Sequence, residues 1–519
     1  MGNENASNDG NIPIQKRLRE FSWMLAFLMF YMASCAFNFG YDVGNFGGVQ
    51  GMQSFAKKFG QYNSSKGLYA LPAWLSSLMT SLPFLGKALG AITCGWISER
   101  WGRKKAILGL VGLSFLGVLL QTCATTAAQF TVGRFISFGM TGMTIVVVPL
   151  YQGEVAPGPL RGMMAATLQL MIIVGQVVAS LVNLGTQHIA SDAGWRLSVG
   201  LQFVAPAIIL GLLPIVPESP RWLLAKGRPA DAHTSLRRIR KKEVSDAEIE
   251  FEVQALRHAN SLHGKGTWAE VFDKNNRLRT LVAVIAMFGE QITGQAFQSQ
   301  YSVIFYQQHG FKDQAFLFGV IGNVVQLVCL IGTWFFVDGI GRRPLVMTGG
   351  FFMGIFLFVI AGVSSVATPN FSEAHAMVAS LMLFGASFAL SWAPVSYIVL
   401  SEVAASRVKE KTNLLASVVS ILVTFVTSFT IPYLMNEPYA ALGGKIGYIY
   451  GAINMVMVVV AYFMIPELKG RSLEEVDQLF QSGAPLRKFG AVKTEAAEQL
   501  YADQARINVE EMAKSEHTE

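Results

Sequence analysis

Gly86-Lys87-Ala88-Leu89-Gly90, running on through Gly95 to Glu99-Arg100-Trp101-Gly102-Arg103-Lys104, is the stretch that decides the fold. A second copy follows about 240 residues later as Gly332-Thr333-Trp334-Phe335-Phe336-Val337-Asp338-Gly339-Ile340-Gly341-Arg342-Arg343, and such a repeat marks an internal duplication. Each copy is wedged between long apolar runs. Small residues let two membrane helices approach closely. The acid and arginines that follow cannot stay in lipid, so each copy predicts a helix end and a tight turn at the membrane surface. A duplicated membrane protein is most often a transporter.

Composition agrees. Hydrophobic residues make up 52% of the 519 and charged residues only 14%, whereas a soluble domain carries about a quarter charged residues. Mean hydropathy is +0.40. Apolar spans are predicted near 22–48, 67–92, 105–124, 129–151, 162–185 and 197–216, and again near 281–307, 314–337, 343–366, 376–401, 411–435 and 444–465. The fold class is therefore an all-α membrane protein of twelve transmembrane helices in two six-helix bundles. The division is a tail (1–20), a first bundle (21–216), a central loop with short helices (217–280), a second bundle (281–465) and a polar, partly helical tail (466–519).

The net charge of +7 does not point to nucleic acid, because the basic residues follow the loops. All of the 41 Lys and Arg except Lys57, Lys58, Lys66, Lys87, Arg134, Arg196, Lys312 and Lys445 fall on one side. That bias places both termini in the cytosol. Of the Asn-X-Ser sequons, Asn63 and Asn370 then lie outside and Asn5 inside. Cys35, Cys94, Cys123 and Cys329 all sit in apolar stretches and show neither a disulfide framework nor metal-ligand spacing. There is no phosphate-binding loop and no nucleophile–base set, so the sequence predicts neither an enzyme nor a cofactor, and the energy source is a gradient.

Further motifs occur in order: Phe39-Gly-Tyr-Asp42-Val-Gly44, Val132-Gly-Arg134, Pro149-Leu-Tyr-Gln-Gly-Glu154-Val-Ala-Pro157 leading to Arg161-Gly162, Pro217-Glu218-Ser219-Pro220-Arg221-Trp222-Leu223, Ser391-Trp392-Ala-Pro394 to Ser401-Glu402 and Arg407, and Pro466-Glu467-Leu-Lys469-Gly470-Arg471. In this set and spacing the chain, over about residues 21–480, resembles the sugar porter family of the major facilitator superfamily. The resemblance implies alternating access to a central sugar site in the plasma membrane. It also implies that Glu99, Arg100, Arg103, Glu154, Arg161, Glu218, Arg221, Asp338, Arg342, Glu402 and Arg407 form ion pairs that latch the bundles in the outward-facing state. Singly such pairs are weak; as a network they set the balance of two states.

Asp42 and Arg134 fall within spans 1 and 4, where an ionisable residue is costly and functional by default. Similar positions in proton-coupled relatives form an acid–arginine pair that breaks when the acid takes a proton. Sugar–proton symport is the expectation, with a facilitator or a non-transporting sensor as alternatives.

A sugar needs several neutral hydrogen-bonding side chains and an aromatic face. Gln169 and Gln176, seven apart, share one face of span 5. In span 7, Gln291 and Tyr301 match the family's sugar ligands, with Gln295 between them, whereas Glu290 replaces a glutamine, Ala296 an asparagine and Gln300 a tyrosine. Phe39, Asn323, Gln326, Trp392 and Tyr397 complete the expected substrate set. Ala296 removes polar groups and is expected to open space, and Tyr301 to Tyr306 with Gln326 and Gly332-Thr333 resembles α-glucoside permeases. Hexose and disaccharide (maltose or sucrose) both stay open. The partners expected are sugar, protons and lipid; a monomer suffices, and the sequence does not settle oligomeric state.

Overall fold

The computed structural model describes residues 22–63, 68–157, 160–241, 243–262, 266–312, 314–366, 370–405, 407–471 and 473–492. The N-terminal tail with the Asn5 sequon, and 493–519, lie outside the described residues. Eleven helices among those described are long and apolar enough to cross a membrane. In the first half they are Trp23–Val49, Ala73–Trp101, Arg103–Thr122, Ala127–Val155, Arg161–Thr186 and Ala193–Leu212, here spans 1 to 6. In the second half they are Ala315–Ile340, Arg342–Val363, Phe371–Val403, Lys409–Met435 and Ile446–Met464, spans 8 to 12. The fold is the all-α, two-bundle arrangement that the pattern predicted.

Span 7 is the exception to continuous helix. It is built from two shorter helices, Arg277–Ile292 and Gln295–Gln308, parted at Gly294 with φ 97°. A break in lipid is tolerated only where protein satisfies the freed backbone groups. Asn454 of span 12 does this, its Nδ2 donating to Thr293 O at 2.7 Å. Span 10 is also interrupted, at Ser391 between Phe371–Leu390 and Trp392–Val403.

Helix contacts in the first bundle rest on glycines. A Cβ on Gly40 would stand 1.9 Å from Ile172 O, and one on Gly44 2.8 Å from the Gln176 Cα, so span 1 lies directly on span 5. Gly86 and Gly90 bring span 2 equally close to Phe135 O and Gly139 O of span 4, each 2.0 Å from the missing Cβ. Around the outside, Leu89, Leu116, Val328, Phe335, Val456 and Val459 stay exposed, as lipid-facing residues must.

The bundles have two distinct ends. One carries the charged motifs and four short helices of the central loop, Pro220–Ala225, Pro229–Ile239, Asp246–Leu262 and Trp268–Val271; we call it the motif face. The described part of the C-terminal tail docks there too: Leu479, Leu486 and Phe489 are buried, and Arg279 pairs with Asp477. The opposite end carries a helix, Gln53–Phe59, and a hairpin, Gln61–Asn63 with Leu68–Ala70, which the sequence reading did not foresee.

Candidate functional site

At the motif face the duplication becomes three-dimensional. Span 3 begins at Arg103 after Gly102 (φ 98°), and its first amides point at Glu218: Arg103 N donates to Oε1 at 2.9 Å and Lys104 N to Oε2 at 3.2 Å. Span 9 begins at Arg342 after Gly341 (φ 103°), and Arg342 N and Arg343 N donate to Oε1 and Oε2 of Glu467, both at 3.1 Å. A carboxylate over a helix N-terminus satisfies orphan amides and meets the positive end of the helix dipole. Only glycine fits beneath it, since a Cβ would lie 2.4 Å from Glu218 Oε2 or 2.6 Å from Glu467 Oε2. The arginines then reach span 4 and span 10: Arg103 pairs with Glu154 and also donates to Ser98 O at 2.9 Å, and Arg342 Nη2 donates to Glu402 Oε1 at 2.9 Å.

Each of these pairs joins residues of one bundle. That departs from the expected latch between bundles. Arg407 pairs with Glu270, just ahead of span 7, at 3.6 Å. Arg100 lies over the Trp96 ring, and the Glu99 carbonyl accepts from Trp222 Nε1 at 2.9 Å. Arg221 is half-buried. The side chains of Arg161 and Asp338 lie outside those described. Glu467 is the functional residue that the sequence reading did not assign, although Pro466-Glu467 repeats Pro217-Glu218 at the end of each half.

At the other end the two bundles are tied together. Gln50 Nε2 donates to Gln300 O at 2.6 Å, Gln307 Nε2 to Gly51 O at 2.9 Å, and Ser77 Oγ to Phe429 O at 2.8 Å. Gly47 permits this approach of span 1 to span 7; a Cβ there would meet Ser299 O at 3.1 Å. Deeper in, Phe84 and Phe138 of the first bundle pack with Ile421 of the second.

Between these ends lie the predicted site residues. Asp42 is 1% exposed and accepts a hydrogen bond from Ser137 Oγ of span 4. Arg134 is equally buried, with its guanidinium 3.9 Å from the Phe46 ring centroid and 5.0 Å from that of Phe138. Among the described residues no ion pair joins Asp42 to Arg134, so the expected pair is open in this structure. Arg134 Nε and Nη2 have no hydrogen-bond partner.

Gln169 and Gln176 are half-buried on span 5, and Gln291 and Gln295 are half-buried on either side of the break in span 7. Glu290 is 6% exposed, with Oε2 unpartnered. Tyr301 is buried and donates to Ser428 O at 2.9 Å. Gln326 is buried beside Gln298 against Gly385, and Asn323 lines a small gap between spans 1, 5, 7 and 8. Phe39 is buried with the Lys87 ammonium 4.9 Å from its ring centroid. Trp392 is fully buried against Gly289 and Gly350, in the second bundle's core. Tyr397 is 46% exposed. Ala296 is buried in the core. Among the described residues no group of acids, cysteines and histidines could hold a metal ion.

The sequence profile of the family described as "Sugar (and other) transporter" matches residues 28–480. The chain is similar to the high-affinity glucose transporter ght2 of Schizosaccharomyces pombe, 27% identical over 94% of this chain and 92% of that protein. It is similar to the high-affinity gluconate transporter ght3 of the same yeast, 29% identical over 85% of this chain and 81% of that one. In fold it matches the inward open conformation of the xylose transporter XylE from E. coli, with TM-score 0.72, 23% identity, and 88% and 99% of the two chains covered. The chain belongs to the sugar transporter family and is a multi-pass membrane transporter, not an enzyme.

Proposed function

We propose that this member of the sugar transporter family carries a monosaccharide-sized ligand across the plasma membrane by alternating access, in symport with a proton, and that the structure is its cytosol-facing form. The observation that carries the reading is the one-sided closure. The two halves are hydrogen-bonded across the hairpin face, whereas the motif-face pairs described above stay within halves. The basic residues gather on the motif face, which makes it cytosolic with both termini. The sealed end is then the outer end.

The polar side chains between the ends come from both halves, so a ligand bound there bridges two bodies that must rock apart to release it. Gln169 and Gln176 serve from the first half, and Gln291, Gln295 and Gln326 from the second. Asp42 supplies the coupling. Ionised, it attracts Arg134; protonated, it is held by Ser137 alone and the arginine is released. A proton thereby changes which form the carrier prefers. The names of the relatives, glucose and gluconate transporters, favour a monosaccharide-sized ligand over a disaccharide.

The test is uptake into proteoliposomes of a panel of hexoses, pentoses and disaccharides, with and without an inward proton gradient. Concentrative uptake that needs the gradient is the expected result. Equilibration that ignores the gradient would make the chain a facilitator, and no flux of any sugar would make it a sensor.

A further inference from the structure

A cavity of about 540 Å3 opens at the motif face, beside the first copy of the motif and apart from the central site. Pockets that hold a small molecule run at about 300–1,000 Å3. Its walls come from the turn between spans 2 and 3, the end of span 6 and the central-loop helices Pro220–Ala225 and Pro229–Ile239. These walls are tied to one another. Ser235 Oγ donates to Glu218 O at 2.5 Å, and Arg238 Nη2 to Ile215 O, just past span 6, at 2.9 Å.

The lining carries four cations, Lys104, Lys105, Arg228 and Arg238, and two acids, Glu218 and Asp231. Both acids are already engaged. Glu218 takes the first amides of span 3, and Asp231 pairs with Arg228 at 2.7 Å. Arg238 reaches a neutral carbonyl. Among the described residues neither Lys104 nor Lys105 has an ion pair. Two ammonium groups therefore line one cavity with no counter-charge, and an anion between them would relieve their repulsion.

The same cavity is apolar on its membrane side. Leu108, about one and a half turns into span 3, is 49% exposed, and Leu213 follows the last residue of span 6. Exposed leucines on a membrane helix face acyl chains. Trp101, also exposed, stands at the cavity's rim, where indoles anchor at the bilayer interface. A soluble anion has no use for this side of the cavity, whereas a phospholipid has.

We infer that the cavity binds an anionic phospholipid of the cytosolic leaflet, one whose headgroup carries a phosphomonoester. That phosphate seats on Lys104 and Lys105, and the acyl chains run past Leu108 and Leu213. Basic pockets among membrane helices on the cytosolic side suit such headgroups. The two lysines decide the class: a phosphomonoester carries about −1.5 to −2 at neutral pH and matches both, whereas a diester carries a single charge. Of the reading above, the inference takes only that the motif face is cytosolic. A lipid seated there fastens the helix Pro229–Ile239 to spans 3 and 6.

The experiment is native mass spectrometry of the full chain in detergent. It is titrated with short-chain phosphatidylinositol monophosphate, phosphatidylinositol, phosphatidylserine and the free, chainless headgroup of the first. The monophosphate lipid should bind at least roughly tenfold more tightly than phosphatidylinositol, which lacks the monoester, the size expected of one charge-assisted hydrogen bond. Lys104→Gln together with Lys105→Gln should bring those two lipids level. Lys274→Gln, on the same face but outside the cavity, should leave the preference intact. Wild-type protein should be stabilised against heat by the monophosphate lipid and not by phosphatidylinositol, a reading that no variant's folding can confuse. Phosphatidylserine bound as tightly as the monophosphate lipid overturns the phosphomonoester, and the free headgroup bound as tightly overturns the lipid. An equal loss in Lys274→Gln, or an unchanged preference in the folded double variant, overturns the cavity. Binding in detergent depends neither on sugar flux nor on which face is cytosolic, so this inference and the carrier reading fail separately.

Discussion

At the end of span 2 the chain turns through Gly102 beneath the carboxylate of Glu218; at the end of span 8 it turns through Gly341 beneath that of Glu467. There the two copies of the motif make the same contacts, amide for amide. One helical stretch earlier they part. Gly86 and Gly90 are pressed onto span 4, but in this register their counterparts are Val325 and Cys329, and the second copy's Gly332, at the place of Thr93, meets only the edge of Phe336, at 3.9 Å from a missing Cβ. The position of Cys94, whose Sγ donates to Met143 O, is held in the second copy by Thr333, whose Oγ1 donates to Ala389 O at 3.2 Å. Duplication kept the turn, where charge must be managed at a membrane surface, and let the helix contacts drift. The first halves of the bundles diverge further. Span 1 is one helix with a buried acid, and span 7 is broken and lined with amides. The first bundle thus holds the buried acid proposed above as the proton site, and the second a jointed helix.

That division of labour is most exposed to Asp42→Asn. Concentrative uptake should vanish, while exchange between equilibrated compartments stays measurable. A mutant that still accumulates sugar against its gradient would remove the proton site from the first bundle.

The glycine contrast comes next. Gly90→Ala drives a methyl into Gly139 O, for which backbone must move, and overpacking of this kind costs roughly 1–3 kcal/mol or more. Gly332→Ala should fall within about 0.5 kcal/mol of the parent. Thermal unfolding in detergent compares the two directly. Equal losses would mean that the second copy packs as tightly as the first.

The site itself can be probed from both sides. Gln169→Ala in span 5 and Gln291→Ala in span 7 should each weaken ligand binding by roughly 1–3 kcal/mol, the cost of an unpaired buried polar group. Binding measured by titration should fall in both. A loss confined to one bundle would place the ligand off the central axis, and unchanged affinity in both would move the site elsewhere.

Much of this was legible in the residues. The spans announce themselves because twenty apolar residues in a row have few soluble explanations, and the motif repeat gives the two bundles. Asp42 and Arg134 stand out as charges in apolar runs. What stayed hidden depends on neighbours far apart in sequence. Gly294 breaks span 7 only because Asn454, some 160 residues on, accepts the role of capping Thr293 O. Trp392 reads as a sugar-stacking ring until Gly289 and Gly350 are found against it. The motif arginines are legible only as residue types; that Arg103 takes Glu154 and Arg342 takes Glu402, each within its own bundle, needs the structure.

The smallest effect tests the sharpest similarity. Glu218 accepts from the first two amides of span 3 and Glu467 from those of span 9, and each also accepts from an amide beside it in its own segment: Ser219 N at 2.9 Å and Lys469 N at 2.9 Å. Both are half-buried at the motif face. Replacing either by glutamine keeps one acceptor oxygen, puts an NH2 group against backbone donors and removes the charge that faces the helix dipole. Losses at helix caps and dipoles run at about 1 kcal/mol. Glu218→Gln and Glu467→Gln should therefore each lower stability by about that much, and the two should agree within roughly 0.5 kcal/mol. Because the turns anchor spans 3 and 9 in their own bundles and not across them, the double substitution should be additive, as for distant sites. Thermal or denaturant unfolding of the three variants measures both points. A markedly larger loss at one cap would show that the turns, alike in geometry, carry unequal loads; a double variant far from the sum would show that the two motif faces are coupled through the carrier's conformational balance.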